Sequence, residues 1–198
     1  MTMIRKLLYT PCVLLLVLLS GCNAENEYSV WPCAFAFDNS IYLDDVLSTA
    51  MDAGTRGVFC LISEDIRGGV RYLNFTCSDG RKSRVELKGN EMRTNYVLGL
   101  NNGIIVGYQT LNTDGRNGGF VGYDEQCPNC VRNTNNTVNP NYRVSMSTSG
   151  IATCRRCNKR YDLNNGGIIL DGEKGDKGLE KYEANTTGPF GFIRVNRR

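Results

Sequence analysis

Tyr123-Asp-Glu-Gln-Cys127-Pro-Asn-Cys130 and Cys154-Arg-Arg-Cys157-Asn-Lys-Arg-Tyr161-Asp162-Leu-Asn-Asn-Gly166 are the two stretches on which the reading of this chain turns. Each holds a C-x2-C pair, and 23 residues separate one pair from the other. Two residues between cysteines allow a tight turn with both thiolates facing one ion. Two such knuckles brought together by a hairpin complete a tetrahedron of sulfur at Cys127, Cys130, Cys154 and Cys157. Zinc or a single iron suits that geometry. Disulfides are the competing arrangement in an oxidising compartment, although paired knuckles are rarer in disulfide scaffolds.

Outward from the knuckles the chain reads as short strands. Tyr96-Val-Leu-Gly-Leu100, the turn signal Asn101-Asn-Gly103 and Ile104-Ile-Val-Gly-Tyr108 predict a hairpin, and Gly119-Phe-Val-Gly-Tyr123 predicts the strand that feeds the first knuckle. Upstream, Cys33-Ala-Phe-Ala-Phe37, Gly57-Val-Phe-Cys-Leu-Ile62 and Val70-Arg-Tyr-Leu-Asn-Phe75 have strand character. Val46, Leu47, Ala50 and Met51 recur at helical spacing before Gly54, which predicts one short amphipathic helix packed on the sheet. Leu179 to Tyr182 and Gly191-Phe-Ile-Arg-Val195 predict two closing strands around a Gly188-Pro189 turn, and the collagen-like residues 172–178 are too few for a triple helix and read as a charged turn. Gly stands at 22 of 198 residues, so turns are frequent and the class indicated is all-β.

The spacing Cys154-x2-Cys157, three residues, Tyr161, Asp162 and then Gly166 resembles the second loop of Rieske iron–sulfur domains, with Cys157 where that family has a histidine. Tyr123-Asp-Glu-Gln-Cys127-Pro resembles the first Rieske loop, with Cys130 replacing its histidine one residue later. The resemblance covers residues 96–198 and is similar to Rieske-like bacterial lipoproteins that carry four cysteines. It implies an antiparallel β-sandwich bearing a small, zinc-ribbon-like metal-binding subdomain; residues 31–95, outside the resemblance, read from their own strand pattern as a β-rich N-terminal part. The resemblance also implies iron and sulfur, against the single ion that the knuckles themselves favour, zinc first. Four thiolates around a [2Fe–2S] cluster would draw its potential toward plant-type ferredoxin values, about −400 mV. In similar lipoproteins a pair at the places of Cys33 and Cys60 also occurs, which implies a disulfide between them; buried free thiols are the ordinary alternative. Cys77 is then odd in number.

The first residues divide into Arg5 and Lys6, an apolar run of 13 residues from Leu7 to Leu19, and Leu19-Ser20-Gly21-Cys22. The run is shorter than the roughly 20 residues of a permanent span, so residues 1–21 read as a removable signal. The last four residues resemble the lipobox of bacterial lipoproteins. This implies acylation of Cys22, a tether over residues 22–30, and anchorage at a membrane of the cell envelope. Asn23 in place of Asp favours the outer membrane, and Glu25 and Glu27 weakly resemble surface-display signals.

Without residues 1–21 the formal charge falls from +3 to +1, which implies no nucleic-acid partner. The chain has no histidine, which excludes Ser-His-Asp and Cys-His catalysis and His-rich zinc hydrolase sites. Adjacent acids at Asp44 and Asp45, and at Asp124 and Glu125, point to opposite faces of extended backbone and make no catalytic pair. Arg155, Arg156, Lys159 and Arg160 crowd the second knuckle. They could dock an acidic redox partner or offset the charge of four thiolates, and a solvated basic loop is the ordinary explanation. The expectation is therefore a non-enzymatic membrane-tethered protein with a four-cysteine centre, either structural zinc or an iron or [2Fe–2S] centre for electron transfer. The alternative is a cell-surface interaction or adhesion module stapled by disulfides.

Overall fold

The computed structural model describes residues 28–111, 119–135 and 138–198. The expected signal and lipobox, Cys22 and most of the expected tether lie outside the described residues. The chain is mostly β, with twelve strands in two antiparallel sheets among the described residues.

Strands β1 (Ala34–Asp38), β2 (Phe59–Arg67), β3 (Val70–Cys77), β4 (Lys82–Glu86), β5 (Ile104–Tyr108), β6 (Phe120–Asp124), β11 (Lys181–Thr186) and β12 (Phe192–Asn196) form one sheet in the order β1-β12-β11-β6-β5-β2-β3-β4. It curls into a half-barrel. Strands β7 (Val144–Met146), β8 (Ile151–Cys154), β9 (Arg160–Asp162) and β10 (Ile168–Ile169) form a small sheet in the order β10-β9-β8-β7. Strands from both the 31–95 and the 96–198 segments thus share the large sheet, joined where β2 pairs with β5.

The alternation of β1 and β12 is that of strands with one covered face, whereas β5 and β6 are buried on both faces. The reason is a core on each side of them. Ile104, Val106 and Phe120 pack inside the curl with Phe35, Phe37, Leu47, Met51, Phe75 and Ile193. Ile105, Val121 and Tyr123 point the other way, to a second core shared with Tyr161, Leu163 and the four knuckle cysteines. The small sheet therefore docks on the outer face of the half-barrel.

The expected helix is present as α2 (Asp45–Ala50), started by the Asp44 carboxylate, which accepts from the Leu47 N–H at 2.8 Å. It is joined by two further short helices, α1 (Asn39–Tyr42) and α3 (Pro128–Asn133). Residues 96–100 differ from expectation. They form no hairpin with β5, which pairs instead with β6 and β2. The segment bends because Gly99 takes a φ of +67° and Leu100 donates its N–H to the Asp124 carboxylate at 2.7 Å, leaving only an isolated bridge between Val97 and Ala34. A Cβ on Gly99 would lie 2.4 Å from Asp124 Oδ2, so this approach requires glycine.

Candidate metal centre

The end of β6 runs through Asp124, Glu125 and Gln126 into Cys127, the N-cap of α3, with Pro128 at the first helical position. Proline is favoured there because its fixed φ suits the helix and its missing N–H is one that would lack a helical partner. The first knuckle is thus one helical turn, and it carries Cys127 and Cys130. The second lies between β8 and β9. Cys154 ends β8, its N–H bonds the Lys159 carbonyl at 3.0 Å, and Asn158, at a φ of +59°, returns an N–H to the Cys154 carbonyl at 3.0 Å. Cys127 N–H to Tyr142 O at 2.8 Å, together with the bridge between Gln126 and Arg143, ties the first knuckle to the entrance of β7.

This arrangement brings all four sulfurs together. Cys127 Sγ is 3.7 Å from Cys157 Sγ, and Cys130 Sγ is 3.7 Å from Cys154 Sγ. All four lie within 4.8 Å of one another, as a set that could hold a metal ion. A zinc–sulfur bond of about 2.3 Å sets the edge of a regular tetrahedron near 3.8 Å. The observed spacing also lies far beyond the roughly 2.05 Å of a disulfide, and the four are free thiols. Cys127, Cys130 and Cys154 are buried and Cys157 is half-buried.

The surroundings favour occupation by a cation. Without one, the neighbouring Cys154 thiol and burial push Cys127 well above the ordinary thiol range, while burial and the Cys157 thiol push Cys130 up to about 12. Four buried sulfurs cannot ionise together unless positive charge is supplied, and a bound divalent ion deprotonates coordinating thiols outright. Hydrogen-bond donors already face the set. The Tyr161 hydroxyl is 2.9 Å from Cys127 Sγ, and the Arg156 N–H lies 3.4 Å from Cys154 Sγ. Asn129 Nδ2 donates to the Tyr161 hydroxyl oxygen at 3.1 Å, which leaves the phenolic proton for the sulfur. Asn129 is fixed in turn by both the N–H and the carbonyl of Lys177, each at 2.9 Å, so the charged turn at residues 172–178 buttresses the first knuckle.

No family model matches the chain, and no curated protein or solved structure matches it.

The basic residues of the second knuckle divide. Lys159 pairs with Asp176 at 2.6 Å and Arg160 with Asp171 at 2.5 Å, so two of the four cations have carboxylate partners of their own. Asp162 caps its turn, accepting from the Asn164 N–H at 2.9 Å.

The sequence marks Asp124 and Glu125 as adjacent acids but does not mark them as buried at the joint between β6 and the first knuckle. Asp124 is fully buried and accepts from Leu100 N, Gln126 N and the Tyr182 hydroxyl, each at 2.7 Å. Glu125 is also buried and is ion-paired with Arg143. Burial raises Asp124 to about 6 against the pull of those hydrogen bonds, and raises Glu125 to about 7 against the pull of Arg143. The tight glycines across the gap, Gly99 and Gly103, were the available signal. A Cβ on Gly103 would fall 1.7 Å from Glu125 Oε2.

Cys33 and Cys60 are not joined. Both are free and buried; the Cys33 thiol donates to the Val195 carbonyl at 3.5 Å, and four strands stand between β1 and β2 in the sheet. Burial pushes the Cys33 thiol up to about 12. Directly opposite Cys60 stands Cys77.

Proposed function

We propose that this protein is a lipid-anchored, non-catalytic, Rieske-like component of a bacterial cell envelope, in which Cys127, Cys130, Cys154 and Cys157 hold a single zinc ion that locks the small sheet to the half-barrel. The observation that carries the zinc reading is the sulfur spacing, 3.7 Å in two pairs and under 4.8 Å throughout. A [2Fe–2S] core places two irons and bridging sulfides between its thiolate pairs and spreads them further than one ion does. Four protein thiolates also fill a tetrahedral ion and leave no position for a substrate, which favours a structural over a catalytic role. The anchor rests on the sequence Leu19-Ser20-Gly21-Cys22.

A second reading is favoured by one observation. Cys157 alone among the four is not fully buried, so a single iron in the same site would have an edge from which an electron could leave for a partner. Elemental analysis of the purified chain, with an absorption spectrum, separates the two. One zinc per chain and no visible band supports the structural reading. One iron with thiolate charge-transfer bands supports electron transfer, and two irons with acid-labile sulfide refute the single-ion assignment. Labelling with radioactive palmitate in a bacterial host, lost in Cys22→Ser, tests the anchor.

A further inference from the structure

We infer that Cys60 and Cys77, free thiols in this structure, are placed to close a disulfide across the β2–β3 hairpin on oxidation. The two are Cα partners in the antiparallel register, both are buried, and both point into the core inside the half-barrel. Their type of pairing follows from the hydrogen bonds around them. The Ser78 N–H bonds the Phe59 carbonyl at 2.7 Å, which makes the adjacent opposed pair a hydrogen-bonded one, while the Cys77 N–H turns away to the Arg81 carbonyl at 2.9 Å. Hydrogen-bonded and non-hydrogen-bonded pairs alternate along an antiparallel ladder, so Cys60 and Cys77 form a non-hydrogen-bonded pair. Such a pair has its Cα atoms about 4.5 Å apart and its side chains closest. That separation falls inside the range of about 4.4–6.8 Å that a disulfide bridges without backbone movement.

The remaining thiols sort themselves around this pair. Among the described residues, Cys33, next to β1, is separated from β2 by four strands of the sheet, and the four knuckle sulfurs lie together on the other face. Cys77 is held at 3.3 Å from the Val46 carbonyl, and burial together with the neighbouring Cys77 pushes the Cys60 thiol up. Both thiols are buried in the closed hairpin, so the bond forms while the hairpin is assembling and is then shielded. The co-reactant is a small-molecule or protein disulfide. One cysteine thiolate attacks it, giving a mixed disulfide and releasing one thiolate. The second cysteine then attacks the protein sulfur and expels the other. One S–S bond is formed and one broken, two electrons pass to the oxidant, and the two cysteine protons leave to the released thiolates or to water.

The bond closes a loop of 16 intervening residues, which should favour the folded state about a hundredfold. The test refolds the full chain with zinc and a mixture of reduced and oxidised glutathione. The protein is then denatured with chelator and an alkylating agent, without reductant, and digested for mass spectrometry. The expected result is one cross-linked peptide pair joining Cys60 to Cys77, with every other cysteine of the chain unlinked, and the same linkage in Cys33→Ser. Alkylation of both Cys60 and Cys77, or a linkage from either to Cys33, overturns the inference. Because the oxidant is supplied, the outcome does not depend on the anchor or on the identity of the metal.

Discussion

The Tyr161 hydroxyl stands 2.9 Å from Cys127 Sγ while accepting from Asn129 Nδ2, so an aromatic side chain buried as core is at the same time a donor to a sulfur of the four-cysteine cluster. Outer hydrogen bonds of this kind orient ligands, and their loss typically costs about 10–100-fold in metal affinity. Tyr161→Phe, which keeps the ring, should therefore fold normally and lose zinc to a competing chromogenic chelator at about tenfold lower chelator concentration. An unchanged competition curve would mean that the hydroxyl does not act on the site.

Asp124 gives a pH dependence with a definite sign. Its carboxyl is held at about 6 in the folded protein against an ordinary value of 3.8, so between those values the folded state keeps a proton that the unfolded state has lost. The contribution is fully present below about pH 4 and is lost as pH rises through about 6, amounting to at most about 3 kcal/mol. Urea unfolding of the native chain and of Asp124→Asn in excess zinc should show a stability difference that shifts against the native chain across that window. A difference that does not change with pH would contradict the buried, protonated acid.

Gly103 is the close neighbour of the second buried acid. Gly103→Ala puts a methyl where Glu125 Oε2 lies, 1.7 Å from the ideal Cβ position, and the overlap can be relieved only by moving the Glu125–Arg143 pair or the backbone. Overpacking of this kind costs about 1–3 kcal/mol. The urea midpoint should fall accordingly.

Leu47 separates fold stability from metal binding. It is fully buried inside the half-barrel, on the face of the sheet opposite the four knuckle cysteines. Leu47→Ala should lower stability by about 2–5 kcal/mol while leaving one metal per folded chain. Loss of metal from the folded variant would show that the two cores are not independent.

The sequence carried the strands that have one wet face, because alternation in 33–37 and 191–195 is a local signal, and the knuckles, because C-x2-C spacing is local as well. What it could not carry depends on register and on contacts distant in the chain. Residues 96–100 look like a hairpin arm until the Asp124 carboxylate claims the Leu100 N–H. Cys60 has no sequence mark that points to Cys77 rather than Cys33; only the β2–β3 register makes that choice. β4 (Lys82–Glu86) was hidden because its outward charges outweigh the inward Val85. Asn129 was illegible as a support for Tyr161, since it reads simply as a spacer between two cysteines.

The central claim is one ion on four thiolates, and native mass spectrometry of the zinc-loaded full chain tests it most directly. A single added zinc is expected, with loss of that species in Cys127→Ser and Cys154→Ser. A chain that takes up no zinc, or that carries two irons with bridging sulfide, would contradict it.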